Sequence, residues 1–598
     1  MGYLTPMIMR AEAVIALVAF ALALIAISSF LPVRVARWRT PLATLGCALA
    51  GLGPVLSVPY LSTDPAHATA LWEWSAVGGP TIQASYRLDG LAAVGLAIGA
   101  LYTAAALIAT TRVSSRSSLL RPALLLNGFI LMTLAVTDDL VAVTVVLGAL
   151  AANTIFVALL VAPPPAVARV TAYLAAGVQA FVVADLLITR FGGASFRFDQ
   201  ISADSVSPGV IFAATIGGAL FAGLYPFVPW GYRQEESGER ESLRGLLTMP
   251  AGVGATIVLL RIVGTSRIDL AQLGLPGAVP VPFIVLAAAF FVFAAWRLRR
   301  RRPRSRRRLA VATLLLAFCV LYPWLHWSHV VIVACVLTVA YAAAVSLALP
   351  DQWTVTRHDV TLAAAWIGIA AGTPTAISGS LLVLVGGALV ALTDAFWMPP
   401  HRAYVGMLAS TTTVVTGCLV IAVGVFDAPD PVTVALALLA IIFVVGLELV
   451  HVGRRLDVAA APGNLEATAT IVAFLTTMLI AISFGGALLD TLGRALGRPL
   501  ARDLDGAAYT LAALAVIAAM LAVVAGALRP FLPDTAAIGE RLTRLVSVAD
   551  PVPAAAASFR ALERSATAVS TLFVLFEQRA GVWLALVLIV GVLFWVVR

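Results

Sequence analysis

Residues 140–161 read LVAVTVVLGALAANTIFVALLV, a run with no charge in it whose only carboxamide is Asn153. As an α-helix it is long enough to cross the hydrocarbon core of a bilayer, which takes about 20 apolar residues. Its apolar side chains do not alternate with polar ones and it is twice the length of a membrane strand, so a barrel strand is excluded. In lipid every backbone N–H and C=O must be bonded within its own segment, which a lone helix achieves. The same reading applies to 11–31, 91–110 and 330–349, and such runs recur along the whole chain.

Composition agrees: of 598 residues 61% are hydrophobic and 12% charged, with a mean hydropathy of +1.00, whereas soluble domains are roughly 25% charged. The expectation is an all-α integral membrane protein with about sixteen to eighteen transmembrane helices and no soluble domain of any size. The helix candidates are 11–31, 41–60, 91–110, 119–136, 139–161, 167–189, 208–229, 243–262, 279–298, 308–325, 328–349, 359–395, 403–425, 432–450, 466–489, 507–529 and 580–597. The segment 359–395 is too long for one straight span and carries Gly372-Thr373-Pro374, so it is either one discontinuous helix or two short ones. The first run has one Arg before it and no cleavage pattern after Ser29, and is read as a retained span rather than a signal peptide.

The net charge of +9 comes entirely from arginine, because no lysine occurs in the chain. The arginines lie in short connections between spans, so they report topology rather than nucleic-acid binding. Arg34, Arg37 and Arg39, then Arg112, Arg116 and Arg121, Arg169, and Arg233, Arg240 and Arg244 all follow odd-numbered candidates. The run 297–308, with Arg299, Arg300, Arg301, Arg302, Arg304, Arg306, Arg307 and Arg308, is the strongest of these. The rule that positive loops stay inside then puts the N-terminus outside a bacterial-type cytoplasmic membrane, with Arg190 and Arg197 as outer-side exceptions. The stretch 61–90, with its Gly78-Gly79-Pro80 turn, has the pattern of a surface hairpin, and 530–578 that of a helix lying along the interface. Cys47, Cys319, Cys335 and Cys418 fall inside apolar segments without paired spacing, which suits buried small hydrophobes.

Several short landmarks fall in one order: Tyr86-Arg87-Leu88-Asp89-Gly90-Leu91, Thr137-Asp138-Asp139-Leu140, a Phe191-Gly192-Gly193 turn, and Gly223-Leu224-Tyr225-Pro226-Phe227-Val228-Pro229-Trp230. Gly245-Leu246-Leu247-Thr248 with Leu259-Leu260-Arg261, and Ala371-Gly372-Thr373-Pro374, complete the series. Together they resemble the antiporter-like subunits of respiratory complex I, of Mrp sodium/proton antiporters and of the membrane arms of formate- and hydrogen-evolving hydrogenases. There the fragments read approximately FRLDGL, SDDLL, KxxxxPFHxWLP, GLL with a later LLR, and AGLPPxxGF. The likeness is strongest over 85–265, fair over 300–385 and weak elsewhere.

The resemblance implies two five-helix repeats of inverted topology with discontinuous helices near Pro226, Pro229 and Pro374, and paired interruptions of this kind mark ion sites in transporters. It divides the chain into 1–110, N-terminal helices with the hairpin loop; 111–265, a first antiporter-like repeat; and 279–425, a second. Additional helices follow over 426–529, then the amphipathic segment and last helix over 530–598. It also implies a line of buried Glu and Lys residues that carry protons. The matching positions here are Gly148, Phe221, Val253 and Leu382, none of which binds a proton. No Glu lies between Glu73 and Glu235 to replace them.

Four ionisable residues inside or beside spans are the proton-path candidates, since an intramembrane charge is functional by default. Asp185 lies five residues before Arg190, with which local pairing is the alternative; Arg261 ends its helix, where snorkelling to the interface suffices. Glu448 sits near a helix end and is expected to face the interface. His326 and His329 flank Trp327 in what reads as an aromatic interfacial belt rather than a metal site. Asn127 and Asn153 read as hydrogen-bonding glue between helices, and Asp138-Asp139 as acids at a helix N-terminus. No catalytic motif, metal site or cofactor motif occurs, so as an enzyme the chain is at most a non-catalytic membrane subunit of an NADH–quinone oxidoreductase-like or hydrogenase-like complex. Two roles stand: a scaffold among other membrane subunits, with a lost or altered proton pathway, or an active proton or sodium/proton translocating subunit. The expected partners are the bilayer and those subunits, and not nucleic acid.

Overall fold

The computed structural model describes residues 11–31, 66–75, 81–112, 119–162, 164–190, 203–228, 241–265, 325–348, 353–396 and 400–455, with isolated positions elsewhere. Over them the chain is helical apart from one hairpin. The order is α1 Ala11–Phe30, β1 Ala66–Ser75, β2 Thr81–Asp89, α2 Gly90–Arg112, α3 Leu120–Val136, α4 Leu140–Val161, α5 Pro164–Arg190 and α6 Pro208–Ala222. Then come α7 Glu241–Thr265, α8 Trp327–Ala348, α9 Trp353–Ala371, α10 Pro374–Phe396, α11 Pro400–Val425 and α12 Pro431–Arg455. Six of them (α2, α4, α5, α8, α10 and α12) are long and apolar enough to cross a membrane. The candidates 279–298, 308–325 to its last residue, 466–489, 580–597 and the amphipathic stretch 530–578 lie outside the described residues, as do nearly all of 507–529, the arginine run 297–308 and Pro229.

The hairpin expected within 61–90 is present: β1 and β2 pair antiparallel, Ala66 opposite Asp89 and Ser75 opposite Thr81, with an irregularity between Ala70 and Trp72. It sits at one end of the bundle, the end where α2, α4, α6 and α8 begin and α3, α5 and α7 finish. Isolated bridges of Tyr86 with Thr137 and of Asp139 with Arg197 stitch it to the α3–α4 turn and the chain after α5.

Close helix packing in lipid relies on small residues and on polar pairs. Both occur here. Gly379 and Gly386 of α10 face Gly417 and Val414 of α11, where an added Cβ would come within 2.7 Å of the neighbouring helix. Asn153 of α4 donates to Asn127 Oδ1 (2.6 Å) and to the Ala123 carbonyl (2.7 Å) of α3, as the sequence indicates. The two largest buried side chains each find a polar partner for the indole N–H: Trp327 donates to Thr215 and Trp366 to Thr256, both at 3.0 Å.

The two proline landmarks differ. Before Pro226, α6 stops after 15 residues at Gly223, whose φ of 65° is open to glycine and strained for other residues. Helix is therefore interrupted on the N-terminal side of Pro226. Pro374 interrupts nothing. Gly372, at φ 72°, ends α9, and Pro374 opens α10 at its first position, where a missing N–H costs no helical bond. Gly368 lies against Ser380 and Gly387 against Thr361, so α9 and α10 run antiparallel as two separate helices of 19 and 23 residues. The discontinuous helix expected near Pro374 is thus a helical hairpin.

Candidate functional site

Two sets of buried charges and one cavity account for the ionisable groups of the described bundle. The first set closes the hairpin end. Asp89 caps α2, accepting from Ala92 N–H at 2.8 Å, and its carboxylate also meets Arg87 Nε at 2.9 Å and Arg261 Nη1 at 2.9 Å. Arg261 is 5% exposed and donates further to the Ala135 carbonyl (2.6 Å) in the last turn of α3, with its guanidinium 5.9 Å from the Phe198 ring centre. A cation there complements the negative end of α3. Asp138, fully buried, lies between Arg87 (3.6 Å) and Arg197 (3.5 Å). Arg261 therefore does not snorkel: it reaches inward because a buried carboxylate 172 residues earlier needs it. Arg197, an exception to the charge rule, is likewise tied to Asp138.

The second set lies toward the opposite end. Arg357, on the first turn of α9, and Glu448, late on α12, are both 0% exposed, with Nη2–Oε2 2.7 Å and Nε to both carboxylate oxygens 3.0 Å. Arg357 Nη2 also donates to Thr411 of α11 at 2.9 Å. Glu448 thus does not face the interface. It is the one carboxylate set against a buried guanidinium, and Arg357, which sequence reading left outside the span, holds α9, α11 and α12 together.

Asp185 is not joined to Arg190, which is exposed; it is 8% exposed itself, and its Oδ1 has no hydrogen-bond partner among the described residues. His326 stacks edge-on against His329, ring centres 5.3 Å apart. His329 Nδ1 accepts from the His326 backbone N–H at 3.1 Å, which assigns the proton to Nε2, and Nε2 faces Asp430 Oδ2 at 2.5 Å. No group of three or more potential metal ligands occurs among the described residues.

Asp430 stands just before α12, outside the span. Partial burial opposes its charge, yet hydrogen bonds from His329, the Thr433 hydroxyl and backbone, and Val432 N–H hold its carboxyl well below the usual carboxylate range. A folded-state value depressed below the unfolded one adds stability that is present above about pH 4 and lost as pH falls toward the folded value. Asp430→Asn is expected to lower thermal stability at pH 7, with the gap to the parent closing as the pH is taken below 4. Parallel melting curves across that range check it; a gap independent of pH would contradict it.

Of the four positions where the resemblance implies proton carriers, Phe221 (3% exposed) and Val253 (0%) are buried, while Gly148 and Leu382 are partly buried. Phe221 fills the space beside Gly177 and meets Phe181 edge-on at 6.2 Å between ring centres. It also walls a small cavity at the end of α6, together with Thr154, Tyr173, Gly223, Ala251 and Asp359. Asp359 was overlooked at the sequence level: it sits at the boundary of an apolar run, and boundary carboxylates read as solvated.

Membrane-length helices, a hairpin covering one end and charges clamped in pairs inside the bundle define a multi-pass membrane protein of transporter-like architecture. The comparisons narrow this to one fold. Neither a protein-family model nor a curated protein matches the chain. Among solved structures it is similar to a chain in the structure of the Mrp complex from Dietzia sp. DQ12-45-1b, with TM-score 0.60 and 15% identity over 97% of this chain and 62% of that one. It is also similar to a chain of respiratory complex I from Thermus thermophilus with bound NADH, with TM-score 0.52 and 16% identity over 85% and 99%. A chain of the membrane-bound sulfane sulfur reductase, an archaeal respiratory membrane complex, gives TM-score 0.50 and 14% identity over 71% and 69%. The chain thus has the antiporter-like fold and spans 62% of the Mrp chain's length. At these identities the likeness is one of fold, and activity must be argued from the residues.

Proposed function

We propose that this chain is an antiporter-like membrane subunit of a larger respiratory or ion-translocating assembly, and that it serves there as a scaffold whose inherited proton line is lost. The carrying observation is Phe221. Its ring is packed between Phe181 and the face of Gly177, in the position where the resemblance implies a lysine beside the helix interruption. The ionisable groups available to substitute are largely engaged: Arg261 by Asp89, and Glu448 by Arg357. A proton path requires closely spaced titratable groups or ordered water, and an interior of Phe, Val and Leu supplies neither.

The other subunits of the assembly are its proposed partners, in a bacterial-type cytoplasmic membrane with the N-terminus outside. The arginine distribution supports that orientation, and the helix interruption before Pro226 supports the inverted-repeat origin. The test is dissipation of a pH gradient in proteoliposomes, with and without sodium. The expected outcome is no flux above protein-free vesicles. Robust protein-dependent exchange would overturn the scaffold reading.

A further inference from the structure

The end of α6 leaves more than a helix stop. A helix normally satisfies its last carbonyls with capping N–H groups or water. Here Gly223 N–H and Leu224 N–H both turn back to the Ala219 carbonyl. Tyr225 N–H is drawn away to the Thr338 hydroxyl at 2.8 Å, and residue 226 is proline, which has no N–H. The carbonyls of Leu220, Phe221 and Ala222 therefore receive no backbone hydrogen bond among the described residues, and all three residues line the cavity.

Two further oxygen-bearing groups face the same space. Thr154 of α4 is 1% exposed and its hydroxyl has no hydrogen-bond partner. Asp359 of α9 is 8% exposed and makes no hydrogen bond or ion pair among the described residues. The charged groups nearest to it in sequence are Arg357, engaged by Glu448 and Thr411, and His358, which has contacts of its own. The Tyr173 phenol stands on the α5 wall. The described residues of α6 carry no charge, and Arg261, the described charge of α7, is bound to Asp89 at the hairpin end. The cavity holds about one water molecule.

A carboxylate, a bare hydroxyl and three orphaned carbonyls at the negative end of a helix dipole all favour positive charge, and in a low-dielectric interior such groups are costly to leave uncompensated. We propose that this cavity is a binding site for one monovalent cation, a proton or a sodium ion, with Asp359 as the anionic ligand and Thr154 and the last carbonyls of α6 as neutral ones. A single carboxylate matches a single charge; divalent ions of the calcium class are held by several. The site goes beyond the scaffold reading, since one binding cavity is not a path between two aqueous phases.

The test uses the purified full chain in detergent and two probes. Thermal unfolding is followed as sodium chloride replaces choline chloride at constant ionic strength. In parallel, a hydrophobic carbodiimide, which attacks protonated buried carboxyls, is reacted across a pH series and Asp359 is located by peptide mass spectrometry. If sodium is the ligand, melting temperature rises saturably with sodium, sodium suppresses labelling, and Thr154→Val weakens the sodium response by about tenfold, the loss of roughly one hydrogen-bond-sized contact. If the proton is the ligand, sodium has no effect and Asp359 is labelled with a saturable dependence on acidity. In either case Asp359→Asn removes the response, and the labelling arm reads the parent chain should that variant fail to fold. Absence of both sodium stabilisation and Asp359 labelling overturns the site. Vesicle flux is a separate readout, so this failure and failure of the scaffold reading are told apart.

Discussion

Glu448→Ala is expected to destabilise the folded chain by about 3–5 kcal/mol, the cost of leaving one member of a fully buried ion pair uncompensated. Arg357 has no exposed surface into which it can retreat. It sits on the first turn of α9, wedged against α11 and α12, and with Glu448 gone its remaining described side-chain partner would be the Thr411 hydroxyl. The partner removal Arg357→Ala is expected to cost a similar amount through the stranded carboxylate. The double variant Arg357→Met with Glu448→Leu, which removes both charges and restores apolar volume, should recover most of the loss, because well-packed apolar replacements of buried pairs are often neutral or better. Unfolding measured in mixed micelles, read as a double-mutant cycle, checks this. Additive single and double effects would show that the two side chains act independently and would remove the pair from any account of how α9, α11 and α12 are held.

That pair also marks the limit of sequence reading. Glu448 was visible as a charge in a membrane run, but its partner lies 91 residues earlier, and hydropathy places the start of that run at residue 359. The helix in fact begins at Trp353, so Arg357 and His358, which look like solvated flanks, are interior. Hydropathy averages over a window and therefore draws the boundary where charge appears, even when the charge is neutralised by a distant residue. The same reason made Arg261 look like a snorkelling end residue. Local signals fared better: Asp139 caps α4 by accepting from Ala142 N–H, Asn127 and Asn153 pair across adjacent helices, and the turn after Ser75 makes the hairpin. Each of these depends on neighbours within about thirty residues.

Proline shows how one residue type carries two meanings. Pro226 and Pro374 both fall in apolar runs after a glycine, and both match landmarks of the antiporter-like fold. Their difference lies in what the preceding glycine does. Gly223 ends a helix whose last carbonyls then find no N–H, because Tyr225 is diverted and Pro226 has none. Gly372 ends one helix and the chain at once starts another in the reverse direction, with Thr373 capping it by accepting from Ala376 N–H at 3.3 Å. A helix-capping threonine immediately before proline is the signal that separates the second case, and it was present in the sequence.

Asp89→Ala is expected to release the hairpin end of the bundle, again at a cost of about 3–5 kcal/mol. Three demands converge on this carboxylate: the N-terminal amide of α2, the Arg87 guanidinium and the Arg261 guanidinium. Loss of the cap alone is worth about 1 kcal/mol. The larger part comes from Arg261, buried beneath the hairpin and left with the Ala135 carbonyl and the Phe198 ring. Asp89→Asn keeps the capping oxygen but not the charge, so it is expected to fall between Asp89→Ala and the parent. Because Arg87 also faces Asp138, and Asp138 faces Arg197, the loss should spread along the network. Amide exchange across β2 and the first turn of α4 should quicken together, while α9 to α12 keep their protection. Exchange that quickens uniformly over the whole bundle, or only at the first turn of α2, would show that Asp89 is an ordinary helix cap and that the arginine network does not fasten the hairpin.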